Sequence, residues 1–353
     1  MRPRVSVVIP AYNAEETIIP LLKSIHESKR SGRNKGYGEY KENRGREREV
    51  IVVDDKSKDS TIRLVQQFAV KHTKLNLRIL ALKKNSGPAH ARNAGAKLAR
   101  GEIIFFLDSD VILHKRSFAE LIKSFQDPDV HALTGVWDKE QKNQAFFPKF
   151  KALRDWSYWI NERDPTHYYY LFSTRVAAIR RDLFLRLGGF DETYKAALVE
   201  DIELTYRISK RYAVIFNPRV KVHHEFEGFW PIAKKYFWRS YYWTRIYRER
   251  KKFDPVTTTN KEAITTLSAA GLAGFGFLTL LSHLSNLSYL SGILTWIVLT
   301  FLLIHLWGVR KFLWFCYKEE GIFFAIKAFF TGIILYVVIL AGAVLSMVYE
   351  TKK

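Results

Sequence analysis

IIFFLDSD, residues 103–110, is an apolar run that ends in two carboxylates one residue apart. Five large apolar side chains in succession predict a buried strand, with Asp108 and Asp110 at the carboxyl edge of a sheet. Open α/β sheets bind ligands at that edge. Alternation along an extended chain puts both acids on one side, where they repel unless a cation or a proton lies between them. The stretch therefore predicts a site for Mg²⁺ or Mn²⁺, with a plain polar turn as the alternative.

Polar residues follow other apolar runs in the same way. Residues 5–9, 50–53 and 77–82 are further predicted strands, and helix-like patterns separate them. The four polar endings are Pro10–Asn13, Asp54-Asp55, Asn85–Pro88 and Asp108–Asp110. Strand–helix repetition predicts a parallel sheet with helices on both faces, so these endings should meet along one edge and form a nucleotide-sized cleft. We interpret Asp54 taken singly as a turn or cap residue.

Composition limits the class of protein. A chain of 353 residues has room for one large α/β domain and a second part. The formal charge of +21 favours anionic partners, such as phosphates, anionic lipid or nucleic acid. Cys316 is the single cysteine, which excludes an intramolecular disulfide framework and a cysteine-rich zinc site. Because the first predicted strand begins at Val5, we expect no secretory signal peptide.

Apolar stretches dominate the chain after about residue 260. Three transmembrane helices are predicted at 264–282, 290–309 and 328–348, each about the 20 residues that a bilayer requires. Lys327 interrupts the third stretch, so we place the start of that span after it. The charged and aromatic segment between spans two and three resembles a cytoplasmic interfacial segment. The basic flank before residue 261 and the basic segment after the second span predict a multi-pass protein of the cell membrane with a cytoplasmic large domain. A soluble helical bundle is the alternative.

Two further segments have unusual composition. Residues 27–49 are dense in charge and glycine, which predicts an exposed insertion, either a basic arm on the membrane or a solvated loop. Residues 229–260 mix aromatic and basic side chains, including Trp238, Arg239 and Arg245. This mixture predicts an amphipathic helix at the headgroup level that contacts the acceptor, with single-stranded nucleic acid as the alternative ligand. The predicted division is therefore 1–228, 229–260 and 261–353.

Six motifs, in order over residues 4–228, resemble those of the family-2 inverting glycosyltransferases. They are Val7–Asn13, Val52–Asp55, Gly87–Asn93, Leu107–Asp110, Leu187–Glu192 and Glu200–Glu203. The resemblance implies a GT-A fold, a Rossmann-like α/β domain that uses UDP- or GDP-linked sugars with Mn²⁺ or Mg²⁺. Processive membrane relatives carry a complete Q-x-x-R-W motif, which the sequence around Trp238 and Arg239 lacks.

The resemblance also assigns roles to residues of this sequence. The implied donor-binding residues are Pro10, Ala11, Tyr12, Asn13, Asp55, Gly87, Arg92, Asp108 and Ser109. Among these, Asp55 would contact the base and Arg92 would lie near the donor phosphates. The implied metal ligands are Asp110, Asp108 and His224, and a surface or hydrogen-bonded histidine is the alternative for His224. Asp201 would be the catalytic base with Glu200 beside it, and an ordinary acidic first turn of a helix at 200–211 is the alternative for both.

The chemistry of sugar transfer requires such residue types. A divalent cation stabilises the charge on a departing nucleoside diphosphate, and a carboxylate accepts the proton of the attacking hydroxyl. The sequence therefore predicts a metal-dependent inverting glycosyltransferase that acts on a lipid-linked acceptor, with no nucleic acid beyond the donor nucleotide. A polyprenyl- or dolichyl-phosphate monosaccharide synthase is the first alternative. A non-catalytic sugar-nucleotide- or RNA-binding membrane protein is the second.

Overall fold

The computed structural model describes residues 4–28, 48–162, 170–194, 198–253, 259–285 and 288–350. The chain forms two compact units. The first contains Met1–Glu140 and Asp164–Glu225, and the second contains Gln141–Arg163 and Phe226–Lys353. The sequence division at residue 228 assigns 141–162 to the catalytic domain, whereas the structure groups these residues with the second unit.

The described residues form eight strands and eleven α-helices. The strands are β1 (Val5–Ala11), β2 (Arg48–Asp54), β3 (Leu77–Ala81), β4 (Ile103–Leu107), β5 (Val111–Leu113), β6 (Ala132–Trp137), β7 (Val176–Arg180) and β8 (Val214–His224). The helices are α1 (Ile18–Glu27), α2 (Thr61–Lys71), α3 (Pro88–Leu98), α4 (Ser117–Ser124), α5 (Phe146–Ser157), α6 (Arg181–Arg186), α7 (Glu200–Ile208), α8 (Phe229–Arg250), α9 (Asn260–Leu284), α10 (Ser288–Glu320) and α11 (Ile322–Glu350).

The first unit is built on one mixed sheet in the order β3-β2-β1-β4-β7-β6-β8-β5. Strands β3, β2, β1 and β4 are parallel, which confirms that their polar endings share one edge. Beyond these four predicted strands the sheet is mixed, because β7 runs antiparallel to both β4 and β6, and β5 runs antiparallel to β8. These pairings join segments far apart in the chain, and strand–helix repetition carries no signal for them.

An aromatic core packs against β4, the strand that Asp108 follows. The Phe106 ring lies 6.2 Å from Phe172, 5.2 Å from Phe184 and 5.3 Å from Phe190, measured between centroids. All four side chains are buried. Burying each contributes about 1.5–3 kcal/mol, and these tilted and edge-on contacts add to it. This core therefore gives the carboxyl end of β4 a rigid support.

The predicted insertion at 27–49 is wrong at both of its ends. Glu27 is the last residue of α1, and Arg48 and Glu49 belong to β2. Glu49 is buried, where it accepts hydrogen bonds from the Ser6 hydroxyl (2.6 Å) and from the backbone of Arg100 (2.6 Å). A buried carboxylate is stable only when such donors satisfy it. The remainder of the insertion, 29–47, lies outside the described residues.

In the second unit, three helices among the described residues are long and apolar enough to cross a membrane. They are α9, α10 and α11, and Gly321, with φ +85°, separates the last two. A buried cluster that includes Phe150, Phe312 and Leu335 packs α5 against α10 and α11. The unit therefore has its own apolar core.

Two of these helices are longer than predicted. The structure continues α10 to Glu320, so the charged segment 310–320 is helical and not a separate linker. The third helix begins at Ile322 and includes Lys327. Neither proline nor glycine occurs between 309 and 320, so nothing in the sequence ends the helix where its apolar run ends. At 33 residues, α10 is about 50 Å long and exceeds the roughly 30 Å of a bilayer core.

Two side-chain hydrogen bonds join helix α8 to helix α11. The Ser240 hydroxyl donates to the carbonyl of Ile339 (2.7 Å), and Arg248 donates to the carbonyl of Ser346 (2.7 Å). On α11, between Ile339 and Ser346, a Cβ on Gly342 would lie 2.2 Å from the carbonyl oxygen of Phe237. The two backbones therefore approach closely at Gly342.

The residues predicted to meet the acceptor lie on α8, in the second unit. Trp238 is 37% exposed, Arg245 is exposed and Arg239 is half-buried. Their role at a membrane stays a prediction.

Candidate active site at the carboxyl edge of the sheet

The loops after β1 and β2 are tied together. The backbone N–H of Asn13 donates to the Ser57 hydroxyl (2.9 Å), and the Asn13 side chain accepts from the backbone of Lys58 (2.8 Å). Asn13 has φ +49°, a left-handed conformation that asparagine tolerates better than most residues. Pro10 and Ala11 are buried at the end of β1, and Tyr12 follows them with 46% of its surface exposed. Hydrogen bonds to the loop after β2 therefore hold the predicted nucleotide-binding loop in place.

Asp55 shapes the next loop. It is buried, and its two carboxylate oxygens accept hydrogen bonds from the backbone N–H groups of Ser86 and Gly87, each at 2.8 Å. Gly87 has φ +92° immediately before the first residue of α3, where glycine adopts the turn without strain. The carboxylate of Asp55 therefore braces the loop that begins α3, and its contact with a nucleotide base stays a prediction. The turn role of Asp54 is confirmed, because its carboxylate accepts from the backbone of Ser57 (3.1 Å).

Arg92 of α3 connects two of the predicted site acids. Its guanidinium donates to Asp108 (2.7 Å) and to Glu200 (3.0 Å), and it lies 5.7 Å above the Phe190 ring. Only 2% of the side chain is exposed. Burial alone would lower the pKa of Arg92, but the charges of Asp108 and Glu200 raise it above its ordinary value. Arg92 is thus a buried cation held between two carboxylates.

The two adjacent acids of the Glu200-Asp201 motif have different environments. Glu200 begins α7, is 2% exposed, and accepts hydrogen bonds from Arg92 and from the backbone of Leu198 (2.8 Å). Asp201 is half-buried, and it accepts a hydrogen bond from the backbone of Ile202 (2.8 Å). The negative charge of Asp201 also contributes to raising the pKa of Arg92. Glu200 is locked inside the unit, whereas Asp201 keeps access to solvent.

The turn that carries the Leu187–Glu192 motif is clamped onto α3. The Asn93 side chain donates to the carbonyl of Phe190 (2.8 Å) and accepts from its N–H (2.9 Å). Gly188 and Gly189 have φ +80° and +75°, and a Cβ on Gly189 would lie 2.4 Å from the Asn93 side-chain oxygen. Glu192 ends the turn with a 2.7 Å contact to His90. The motif therefore positions Phe190 under Arg92.

Asp110 and His224 form the predicted metal-binding pair. The antiparallel register of β5 and β8 places Val111 opposite His224, which brings the His224 imidazole within 3.3 Å of the Asp110 carboxylate. Asp110 is 52% exposed and His224 is 9% exposed.

Their pKa values shift in the direction that metal ligands need. The surrounding protein desolvates Asp110, but the hydrogen bond from His224 and the charge of Arg175 lower the pKa of Asp110 to about 2. Burial and Arg175 lower the pKa of His224. An ionised carboxylate and a neutral imidazole are therefore present together near neutral pH.

The donor set fits a hard divalent cation in part. Adjacent ligands of an octahedral ion, each about 2.1 Å from it, lie roughly 3 Å apart, and the 3.3 Å between Asp110 and His224 matches this spacing. One oxygen of Asp108 is committed to Arg92, which holds it at 2.7 Å. Within the described ranges, no three His, Cys, Asp or Glu side chains are placed to hold an ion together. A cation here would therefore need oxygens from a ligand, as Mg²⁺ usually takes them from substrate phosphates.

The sequence reasoning missed two features of this edge. Arg175, which precedes β7, influences both Asp110 and His224, and a lone arginine before an apolar run gives no signal of this. Asp138, at the end of β6, is buried and contacts His114 (2.7 Å) and Lys221 (3.2 Å). Like the acids after the predicted strands, Asp138 directly follows an apolar strand. It was missed because β6 was not predicted from the sequence.

Comparison with known proteins gives a family. The model of Glycosyl transferase family 2 matches residues 6–190, and that of Glycosyl transferase family group 2 matches residues 103–348. A mannosyltransferase of Pyrobaculum calidifontis, solved in complex with GDP-Man and Mn²⁺, shares the fold with a TM-score of 0.59 at 20% sequence identity. The likeness covers 98% of this chain and 88% of that chain. The predicted GT-A domain, followed by apolar helices, is therefore confirmed as the fold.

Curated relatives match a part of the chain. A poly(ribitol-phosphate) beta-N-acetylglucosaminyltransferase of Staphylococcus aureus is 35% identical over 33% of this chain and 18% of its own length. A dolichyl-phosphate beta-glucosyltransferase of Trichomonas vaginalis is 35% identical over 34% of this chain and 33% of its own length. A dodecaprenyl-phosphate galacturonate synthase of Rhizobium johnstonii is 28% identical over 42% of this chain and 39% of its own length. The matches therefore span less than half of each relative.

Proposed function

Since this chain belongs to glycosyl transferase family 2, we propose that it is a membrane-bound, metal-dependent inverting glycosyltransferase. It takes a sugar from a UDP- or GDP-linked donor and transfers it to a lipid-linked acceptor, such as a glycan on a polyprenyl or dolichyl phosphate. The protein is multi-pass in the cell membrane, and its catalytic unit faces the cytoplasm.

One observation carries the proposal. A continuous set of contacts runs from Glu200, the neighbour of Asp201, through buried Arg92 to Asp108 at the end of β4. Asp201, which follows Glu200 in the first turn of α7, is half-buried. One general base, without a second carboxylate that acts as nucleophile, suits displacement in one step, which inverts the configuration at the sugar carbon.

The proposed chemistry uses few residues. Asp201 accepts the proton of the acceptor hydroxyl as that oxygen attacks, a contribution of about 10²–10⁴-fold. Glu200 does not share this role, because both of its oxygens hold Arg92 and the Leu198 backbone. Asp110 and His224, together with phosphate oxygens of the donor, would hold Mn²⁺ or Mg²⁺, which when bound supplies positive charge for the departing diphosphate.

Support for a lipid-linked acceptor comes from two observations. Three apolar helices follow the catalytic unit. Two of the curated relatives are named for dolichyl-phosphate and dodecaprenyl-phosphate chemistry. The second relative favours the alternative of a polyprenyl-phosphate monosaccharide synthase, in which the acceptor is the lipid phosphate itself.

The test uses the full chain in lipid nanodiscs with Mn²⁺, radiolabelled UDP- and GDP-sugars, and two acceptors. One acceptor is a polyprenyl phosphate and the other is a polyprenyl diphosphate that carries a sugar. A labelled, mass-identified glycolipid from the second acceptor supports the proposal, and one from the first supports the synthase alternative.

The same test has a control and a contrary result. Asp182→Asn alters an exposed acid that pairs with Arg186, and should leave product formation unchanged. Binding of donor without transfer to either lipid would contradict the proposal and favour a binding protein.

A further inference from the structure

Helix α8 lies beside α11 and runs in the same direction. Ser240 contacts the carbonyl of Ile339, and Arg248, about two turns further along α8, contacts the carbonyl of Ser346, about two turns further along α11. Nearer the start of α8, residues of both helices belong to one buried apolar cluster. Because these contacts advance along both helices together, α8 and α11 make nearly the same angle with any membrane that they meet.

The charge of α8 opposes a path across a bilayer. Its sequence contains one acidic residue, Glu249, and the basic residues Lys234, Lys235, Arg239, Arg245, Arg248 and Arg250. From the first of these basic residues to the last, the helix axis rises by about 24 Å, which is most of the roughly 30 Å hydrocarbon core. Charged side chains are costly in hydrocarbon, whereas mixed basic and aromatic residues suit the headgroup layer. This composition favours a helix that lies along the membrane surface.

The exposed side of α11 is apolar. Lys327 is the only charged residue of the sequence between 322 and 349. Exposed apolar side chains recur along the helix at intervals of three, four or seven residues, and so form one apolar stripe. The stripe contains Phe330, Ile334, Ala341, Val344 and Val348. When a helix lies in the plane of a membrane, a stripe of this kind is buried among the acyl chains.

Helices α9 and α10 form an antiparallel hairpin. Thr265 lies against Gly308, whereas Phe301, earlier in α10, lies against Gly271, later in α9. Residues 264–284 and 288–309 contain no Asp, Glu, Lys or Arg. A hairpin that crosses the membrane twice returns the chain to the side from which α9 starts. Since α8 precedes α9 and α11 follows α10, the hairpin brings α11 to the same side as α8.

We propose that, of the described helices, only α9 and α10 cross the membrane, and that α8 and α11 lie together in the plane of one leaflet. The basic residues of α8 contact anionic headgroups, which attract such residues, and the apolar stripe of α11 contacts the acyl chains. Although α11 is apolar enough to cross, it packs along a helix that is not. The inference goes beyond the proposed function, because it does not depend on the chemistry of sugar transfer.

Spin-label depth measurements test the plane of α11. The full chain is reconstituted in liposomes of phosphatidylcholine and phosphatidylglycerol, with one nitroxide-labelled cysteine at a time in a Cys316→Ala background. The labels on the apolar stripe are Phe330→Cys, Ile334→Cys, Val344→Cys and Val348→Cys. Collisions with oxygen and with a nickel chelate give the depth of each label. We expect all four at about 5–10 Å below the headgroups, and within about 5 Å of one another.

A matched series on α9 shows what a crossing helix gives. It uses Leu267→Cys, Phe277→Cys and Leu284→Cys, at three exposed side chains, and the label at 277 should be the deepest. The same central maximum along α11 would overturn the proposal, and so would four α11 labels exposed to water. Both series are repeated with Cys316 retained, because this buried thiol is shielded from the label and the result then does not depend on the folding of Cys316→Ala.

The side of the membrane on which α11 ends gives a second test. A membrane-impermeant maleimide is applied to sealed vesicles that contain Tyr349→Cys, Asp182→Cys or Tyr289→Cys. These positions are exposed in the last turn of α11, in the first unit and at the start of α10. Two crossings place Tyr349→Cys on the side of Asp182→Cys and opposite to Tyr289→Cys. Labelling of Tyr349→Cys from the side of Tyr289→Cys would mean that α11 crosses, and would overturn the proposal.

Discussion

Arg92 and Glu200 form an ion pair of 3.0 Å in which each side chain is only 2% exposed. Arg92 comes from the third helix, and Glu200 begins the seventh. The same guanidinium holds Asp108 at 2.7 Å, so one cation joins the candidate donor edge to the helix that carries Asp201. The geometry of the site therefore depends on a buried ionic cluster and not on loop contacts alone.

Glu200→Gln should destabilise the protein strongly. Removing the charge of one partner leaves Arg92 buried and only half compensated, and breaking such pairs costs about 3–5 kcal/mol. We expect the thermal midpoint of the full chain in detergent to fall by at least about 6 °C. Asp182→Asn, in the exposed Asp182–Arg186 pair, is the control and should shift it by less than about 2 °C, because exposed pairs contribute little. Equal shifts would show that the Arg92 cluster does not stabilise the fold.

Gly189→Ala and Gly188→Ala separate steric conflict from backbone strain. Both glycines have positive φ, so alanine costs about 1–2 kcal/mol at either position. Only at Gly189 does the added Cβ meet another group, the Asn93 side chain at 2.4 Å, whereas Gly188 has nothing within 4 Å. Thermal melts should therefore show a larger loss for Gly189→Ala by at least about 1 kcal/mol. A larger loss for Gly188→Ala would contradict the clamp by Asn93.

Gly342→Ala should loosen the second unit. The added Cβ would lie 2.2 Å from the Phe237 carbonyl oxygen, so α8 and α11 must move apart at an expected cost of about 1–3 kcal/mol. Gly332→Ala on the same helix has nothing within 4 Å, and should be neutral or stabilising by up to about 1 kcal/mol. Melting of both variants in detergent measures the difference, and identical melting temperatures would mean that the helices are not packed at Gly342.

Asp138 should stabilise the first unit over a limited pH range. Burial alone would raise the pKa of Asp138, but hydrogen bonds from His114 and His223 and the charge of Lys221 lower it well below its usual value. The hydrogen bond to Asp138 in turn raises the pKa of His223. The lowered pKa of Asp138 stabilises the folded state above about pH 4, and this stability is lost as the pH falls. The raised pKa of His223 stabilises the folded state below about pH 6.5, and this stability is lost as the pH rises.

The measurement is the difference in melting temperature between the wild type and Asp138→Asn across that range. We expect the difference to be largest at about pH 5–6 and to shrink on both sides. A difference that grew steadily from pH 5 to pH 9 would contradict the pairing of Asp138 with His223.

Local patterns predicted the part of the site that lies on parallel strands. Asp55 and Asp108 follow apolar runs, and adjacent parallel strands bring such endings to one edge. The Glu200-Asp201 pair was found through the family resemblance, but only the structure separates its buried member from its accessible one.

Features that depend on long-range pairing could not be predicted. Arg175 reaches the site because β7 runs antiparallel beside β4, and its sequence neighbourhood gives no indication of that pairing. Glu49 looked like the end of a charged insertion, yet it is buried because Ser6 and Arg100 satisfy it. The length of α10 was missed because hydropathy marks where an apolar run ends, whereas a helix ends at a residue such as Gly321.

The central claim, that Asp201 is the base while the neighbouring acids hold the donor, is tested most directly by one comparison. Single-turnover transfer and donor affinity are measured side by side for the wild type and Asp201→Asn, with saturating Mn²⁺ and the lipid acceptor. The account predicts a fall in the transfer rate of about 10²–10⁴-fold with donor affinity unchanged within about twofold. Transfer at the wild-type rate would contradict it.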